Sequence, residues 1–265
     1  TLRDQVAAWL VATTGEAVEE RGDGALVTFA ADEQAADGIR SAIAARFGSG
    51  IPVARRPLEP TDWTTRWREG LGPRQVGRIT LLPSWVPVPR DAGIVVEIDP
   101  ETAFGSGEHG STRAALALLE RHVRTGDTVL DLGSGSGILA IAAALLGAAR
   151  ALGIEVDPEA MPVAVRNAER NAVADRVGFV EGEAGALAPL AGPVQMVVSN
   201  ILRGPNVSLL PAIARALEPG GMAIFSGMEV SEAELFRPAL EGAGFRIVDE
   251  AEDEGWWAVA AARPC

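Results

Sequence analysis

Three glycines between two apolar runs constrain this chain more than any other feature. The stretch reads Asp131-Leu132-Gly133-Ser134-Gly135-Ser136-Gly137, with a strand-like run at 128–130 before it and a helix-like run at 138–146 after it. Glycine lets the backbone turn sharply and approach a ligand without a side chain in the way. The helix start behind the turn offers unpaired N–H groups. The sequence therefore predicts a strand, a ligand-binding turn and a helix.

The next strand-like run, 151–154, ends on Glu155, an acid that can accept two hydrogen bonds from a ribose diol. NAD(P) sites usually read G-x-G-x-x-G and hold a pyrophosphate, whereas this turn reads G-x-G-x-G after an acid. That form suits S-adenosylmethionine (SAM), which has no phosphate and has an α-amino group that an acid can hold. We favour SAM over NAD(P) and over a glycine turn without a ligand. The predicted cofactor contacts are Asp131, Gly133, Gly135, Gly137 and Glu155.

Composition narrows the class of protein. The 265 residues are 48% hydrophobic and 22% charged, with a net charge of −13, which is ordinary globular composition but argues against a nucleic-acid-binding surface. An acidic chain is compatible with a basic protein partner. The only cysteine is Cys265, and the two histidines, His109 and His122, cannot form a zinc site by themselves. Since no membrane span or signal peptide is recognisable, we expect a cytoplasmic monomer without metal, membrane or direct nucleic-acid contacts.

The order of predicted elements indicates two domains. Residues 1–57 read as a small α/β substrate-recognition domain, with helices at 2–11 and 31–47 and strands at 25–30 and 51–55; a linker helix follows at 58–71. Residues 72–265 alternate strand and helix, which predicts a Rossmann-like, mainly parallel sheet with helices on both faces. Its predicted strands are 78–82, 93–98, 128–132, 151–156, 177–181, 194–199, 222–226, 245–250 and 256–262. Its predicted helices are 111–122, 137–147, 158–171, 206–217 and 231–242.

Two further segments are predicted to meet the glycine turn at the sheet edge. Asn200 ends an apolar strand, and its carboxamide can accept from an amine while donating to a second group. We predict Asn200 as the catalytic residue that positions a nitrogen for methyl transfer; a turn cap is the alternative. The glycine-rich segment 99–113 predicts a lid with Phe104 against the cofactor, a solvent loop being the alternative. His109 in that lid is either a base or a residue that fixes the loop.

Together these segments resemble the ribosomal protein L11 methyltransferase family, from about Asp62 to Arg263 and more weakly in the first domain. The lid motif is specific to this family, whereas the glycine turn is shared by SAM methyltransferases generally. The segments that carry the resemblance are Asp62-Trp63, Pro83-Ser84-Trp85, Ile98-Asp99-Pro100, 103–109, 131–142, 153–158, 167–171, 199–202 and Ser226-Gly227.

The resemblance implies a class I SAM methyltransferase with a small ferredoxin-like first domain. Because Leu2 already reads as helix, we expect the first strand of that domain to be absent from this sequence. It implies repeated N-methylation of lysine side chains or the N-terminal amine of L11, a basic protein. It implies SAM contacts from Thr112, Gly133, Glu155 and Asn200, although Ser106 and Ser111 stand where the family usually has threonine and Glu155 where aspartate is usual. Another protein lysine or a small amine as acceptor, an NAD(P) oxidoreductase and a non-catalytic SAM-binding module remain the alternatives.

Overall fold

The computed structural model describes residues 2–14, 18–20, 25–30, 32–48, 50–55, 72–101 and 103–264. The chain divides into two compact units, Thr1–Asp62 and Trp63–Cys265. The predicted linker helix, 58–71, lies outside the described residues. Within the described ranges, no helix is both long enough and apolar enough to cross a membrane.

The described part of the smaller unit contains two helices and a two-stranded antiparallel sheet. Its elements follow the order helix, strand, strand, helix, which is the central part of the ferredoxin-like pattern. Val6, Leu10 and Ile43 form its buried core. The predicted strand at 51–55 is wrong: the structure has no strand there, and Pro52 lacks the N–H that a ladder needs. The elements are α1 Leu2–Thr14, β1 Glu19–Glu20, β2 Leu26–Val27 and α2 Glu33–Phe47.

Seven strands of the larger unit form one sheet in the order β8-β7-β6-β9-β10-β12-β11. The strands from β8 to β10 are mutually parallel, and β12 runs antiparallel to both its neighbours. The antiparallel return matters for the site, because it brings the start of β12 to the edge where the parallel strands end. The strands are β6 Thr128–Leu132, β7 Arg150–Glu155, β8 Val177–Glu181, β9 Val194–Asn200, β10 Leu217–Glu229, β11 Arg246–Asp253 and β12 Trp256–Ala262.

Side-chain alternation along the strands gives the sheet two apolar faces. In β12, Ala258 and Ala260 belong to one core, whereas Trp257 and Val259 belong to the other. Helices α3 Gly110–His122, α4 Ile138–Leu145 and α5 Ala160–Arg170 contribute to the first core. Helices α6 Ala184–Ala191, α7 Arg203–Ala216 and α8 Ala233–Gly242 contribute to the second. The prediction of helices on both faces is confirmed.

Two features of this unit differ from the predicted order. The strands predicted at 78–82 and 93–98 do not join the large sheet; they form a separate three-stranded sheet of β3 Arg74–Val76, β4 Ile79–Leu82 and β5 Ile94–Glu97. Helix α6 was not predicted, because its sequence, Ala-Gly-Ala-Leu-Ala-Pro-Leu-Ala, contains a glycine and a proline and little helical periodicity.

Candidate functional site

The carboxyl ends of the parallel strands open into a cavity of about 760 Å³, a volume typical of a small-molecule site. Residues at the ends of four neighbouring strands, or directly after them, line it: Gly182 after β8, Glu155 on β7, Gly133 after β6 and Asn200 on β9. This is the edge at which open α/β sheets bind their ligands.

The glycine turn forms one wall of the cavity and is covered by the lid segment. Gly133 and Gly135 line the cavity. The Ser136 N–H donates to the Phe104 carbonyl at 2.9 Å, and the Ser136 hydroxyl donates to the Gly105 carbonyl at 2.7 Å. Gly135 has φ +50°, and a Cβ there would lie 2.5 Å from the Phe104 carbonyl oxygen. Glycine at 135 is therefore required by the approach of the lid backbone.

Asp131 has a partner within the protein that the sequence does not suggest. Its carboxylate is 1% exposed and accepts from the Ala140 N–H at 3.1 Å, in the first turn of α4. The N-cap of that helix is Gly137, which makes no side-chain cap, so Asp131 satisfies from the neighbouring strand an N–H that would otherwise be orphaned. Burial raises the pKa of the Asp131 carboxyl to about 7. Its Oδ1 has no partner.

Glu155 holds the turn as well as facing the cavity. One oxygen accepts from the Gly135 N–H at 2.8 Å, and the other accepts from the Val156 N–H at 2.8 Å and the Asp157 N–H at 3.0 Å. A carboxylate offers about four acceptor positions, so about one remains for a ligand hydroxyl. A ribose diol that donates to both Glu155 oxygens must either share an oxygen with one of these backbone N–H donors or displace that donor.

Asn200 presents an unpaired acceptor beside the turn. It lines the cavity, and its Nδ2 donates to the Thr112 hydroxyl at 3.2 Å. The Asn200 Oδ1 is buried without a hydrogen-bond partner, a costly arrangement unless a ligand supplies a donor. Its neighbour Asn206 braces the segment, because its Nδ2 donates to the carbonyls of Ile201 and Ser226. The carboxamide is thus held while its oxygen remains available.

The lid is anchored by side chains at both of its ends. Asn167 accepts from the Asp99 N–H at 3.1 Å and donates to the Ser136 carbonyl at 3.0 Å. Arg113, which is 7% exposed, donates to the carbonyls of Gly107 and Glu108. The same guanidinium pairs with Asp253 at 2.6 Å and with Glu254 at 2.8 Å. These bonds tie the lid to the turn and to the loop between β11 and β12.

The structure brings together five of the eight predicted cofactor contacts. Phe104, Gly133, Gly135, Glu155 and Asn200 line the cavity, whereas Thr112, Asp131 and Gly137 lie outside its lining. For these three, direct cofactor contact stays a prediction. At Gly137 an added Cβ would lie 2.7 Å from the Phe179 ring.

Sequence reasoning missed several lining residues. Trp256 comes from the first position of β12, and only knowledge of the antiparallel return could have placed it at this edge. The segment after Asn200 was the more accessible signal, because residues that follow a strand end at the same edge. It contributes Ile201, Leu202, Pro205, Ser208 and Leu209.

The lining distinguishes between the two cofactor classes. In the described part of the chain, the cavity lining includes Glu155 and Glu183 but no lysine or arginine, and the Gly135 N–H is already given to a carboxylate. A pyrophosphate would find neither a cation nor that backbone donor. A sulfonium with an α-amino group suits an acidic cavity whose other walls are mostly apolar, so these residues fit SAM. The described residues contain no group of three or more His, Cys, Asp or Glu side chains placed to hold a metal ion.

Comparison with known proteins identifies one family. The family model described as ribosomal protein L11 methyltransferase (PrmA) matches residues 12–264. The chain is 41% identical over 239 residues to the ribosomal protein L11 methyltransferase of Pelotomaculum thermopropionicum, covering 86% of this chain and 77% of that protein. It is 43% identical over 202 residues to that of Thermus thermophilus, covering 76% and 78%. A crystal structure of ribosomal protein L11 methylase from Lactobacillus delbrueckii subsp. bulgaricus superposes with a TM-score of 0.65 at 30% identity, covering 73% of this chain and all of that one.

Proposed function

The chain belongs to the ribosomal protein L11 methyltransferase family, and we propose that it transfers methyl groups from SAM to amino groups of ribosomal protein L11. The relatives that carry this name match most of the chain. The observation that carries the chemistry is the unpaired Asn200 oxygen in the same cavity as the glycine turn.

Bound SAM supplies a methyl group on a sulfonium, whose sulfur is already a good leaving group. The protein must place a neutral amine in line with the S–CH3 bond. Asn200 Oδ1 accepts one N–H of that amine, and the Thr112 hydroxyl fixes the carboxamide. The amine lone pair then points away from Asn200, and the surplus proton leaves to water after transfer.

Deprotonation of the acceptor is the main energetic obstacle. A lysine with its reference pKa of about 10.4 costs roughly 4–5 kcal/mol to deprotonate at neutral pH. Apolar walls lower the pKa of a lysine amine, because they disfavour its charged form. The cavity supplies such walls from Ile154, Ile201, Leu202 and Leu209. The apolar part of the described lining therefore lowers the cost of deprotonating the acceptor amine.

The smaller unit, predicted as residues 1–57, is proposed to select the acceptor protein. Every described residue that lines the cavity belongs to the larger unit, so the described part of the smaller unit adds nothing to the cavity itself. The net charge of −13 supports a basic partner, because opposite charge steers association. Another protein lysine or a small amine is the alternative acceptor.

The test is single-turnover methyl transfer to purified L11 by the parent protein, Asn200→Ala and Asn200→Asp. One lost hydrogen bond to a reacting amine lowers the rate by about 10- to 150-fold, so Asn200→Ala should lose rate while SAM affinity changes little. Asn200→Asp adds a negative charge that favours the protonated amine. The pH at which this variant reaches its maximal rate should therefore be higher than that of the parent protein. Thermal unfolding of each variant controls for folding.

The two possible failures are distinct. A parent protein that binds SAM but transfers no methyl group to L11 contradicts the proposed function. A parent protein that methylates L11 at the same rate as both variants shows that Asn200 only caps a turn.

A further inference from the structure

Three rings stand in sequence along one side of the cavity: Phe104, His109 and Trp256, here called the aromatic triad. All three line the cavity. The Phe104 and His109 ring centroids are 5.3 Å apart, and those of His109 and Trp256 are 4.2 Å apart. The Phe104 side chain is 58% exposed, so the triad opens toward solvent. The function proposed above gives these rings no role.

The strand order places Trp256 on the acceptor side of the cavity. Neighbouring strands lie about 4.8 Å apart. Glu155 on β7 and Asn200 on β9 are separated by two such steps, and β12 lies two steps beyond β9 in the same direction, with β10 between them. Glu155, the acid predicted to bind the ribose, is therefore at one end, Asn200 lies in the middle and Trp256 lies at the other end. A group that approaches Asn200 from the side opposite Glu155 therefore passes Trp256, one ring of the triad.

The charges around the triad favour a cation. Burial, together with the nearby Arg113 charge, lowers the pKa of the His109 imidazole, so the central ring is neutral at neutral pH. The Arg113 guanidinium pairs with both Asp253 and Glu254, which leaves one net negative charge in that group. Aromatic faces attract ammonium ions, and methylated ammonium in particular because it is weakly hydrated.

We propose that the aromatic triad binds the methylated ammonium of an acceptor lysine between successive methyl transfers. The proposal rests on the function proposed above and assigns the acceptor side of the same cavity. In the first two rounds the lone pair of the neutral amine forms the N–C bond, the S–C electron pair stays on sulfur, and the nitrogen then loses a proton to water. In the third round the neutral dimethylated amine forms its N–C bond in the same way and gives a trimethylammonium, which has no proton to lose. The triad keeps the mono- or dimethylated ammonium near Asn200 until its proton is lost.

The experiment compares ring removal with ring exchange at two positions. Trp256→Leu and Phe104→Leu remove an aromatic face and keep an apolar side chain, whereas Trp256→Phe and Phe104→Tyr retain a face. Mass spectrometry follows mono-, di- and trimethylated L11 over time, and calorimetry measures SAM affinity. Loss of a cation–π contact should slow the second and third transfers by about 2- to 30-fold. The first transfer should change less, so that monomethylated product accumulates in the leucine variants only.

Several results would overturn the proposal while leaving the proposed function intact. One is an unchanged product distribution in both leucine variants. Another is an equal slowing of all transfers, which assigns the rings to general acceptor binding. A parallel loss of SAM affinity assigns them to the cofactor. Phe104 is exposed enough that its replacement tests the idea even if Trp256→Leu fails to fold. Absence of any methyl transfer by the parent protein contradicts the proposed function instead.

Discussion

The two ends of the cavity are formed by different kinds of groups. At the turn end, formed by Gly133, Gly135 and Glu155, backbone groups of one strand–turn–helix unit meet a carboxylate from the next strand. At the aromatic end, formed by the triad, side chains from the lid and from β12 meet although they are far apart in sequence. The turn end has about one free carboxylate acceptor and tight backbone contacts, whereas the aromatic end is more open.

This difference indicates which ligand each end of the cavity binds. A backbone-built end suits a ligand that never varies, because any side chain added there meets another part of the protein. An end built from side chains of distant segments suits a ligand whose form changes, such as an amine that gains methyl groups. We therefore expect substitutions at the turn end to act on the cofactor and substitutions at the aromatic end to act on the acceptor.

The largest effect is expected at Gly135. Gly135→Ala and Gly135→Val place a Cβ 2.5 Å from the Phe104 carbonyl oxygen at φ +50°, so overpacking and a left-handed backbone penalty add together. SAM affinity measured by calorimetry should fall by about 100-fold or more in both variants. Gly126→Ala is the matched control, since Gly126 has φ +95° but nothing within 4 Å of the added atom.

The two Gly135 variants distinguish a clash with the lid backbone from a clash with the ligand. If the valine side chain filled only ligand space, alanine would be tolerated. Near-parent SAM affinity in Gly135→Ala would thus contradict the lid-contact account, and near-parent affinity in both folded variants would show that the turn is not the cofactor site.

A separate effect, on stability and not on SAM affinity, is expected beneath the turn, at Asp131. Its pKa is raised to about 7 by burial, so between about pH 4 and pH 7 the unfolded chain has lost a proton that the folded protein keeps. The contribution of this carboxyl to stability is therefore highest below pH 4 and falls as pH rises to about 7. An asparagine side chain at this position cannot ionise, so Asp131→Asn should gain stability relative to the parent across this window, by up to about 4 kcal/mol.

Urea unfolding at pH 4, 5.5 and 8 measures this difference. Asp175→Asn, at a carboxyl whose side chain is 79% exposed, is the control for exchanging a carboxyl for an amide. A stability difference between Asp131→Asn and the parent that stays constant from pH 4 to pH 8 would show that this carboxyl titrates as an ordinary exposed acid does.

The same comparison explains what the sequence could predict. The turn end is local: Gly133, Gly135 and Glu155 lie within one strand–helix–strand unit, so their spacing predicts their meeting. The aromatic end depends on β12 returning antiparallel beside β10, which no local pattern specifies. Arg113 likewise reaches Asp253, 140 residues away. These contacts were not predicted because tertiary packing alone creates them.

Asp131 shows that a correctly located residue can still have an unexpected partner. The motif places it beside the turn, as predicted. Its carboxylate is drawn toward Ala140 N–H, because the glycine at the helix N-cap has no side chain to offer. This unsatisfied N–H can be recognised only once the exact residue at which α4 begins is known.

The central claim is that the two ends act separately, and a crossed measurement on Glu155→Ala and Trp256→Leu tests it most directly. For each variant, calorimetry gives SAM affinity and single-turnover mass spectrometry gives the ratio of second to first methyl transfer on L11. We predict that Glu155→Ala weakens SAM by about 10- to 150-fold with the ratio unchanged, and that Trp256→Leu lowers the ratio by about 2- to 30-fold with SAM affinity unchanged. Variants that each change both quantities to the same extent would contradict the account.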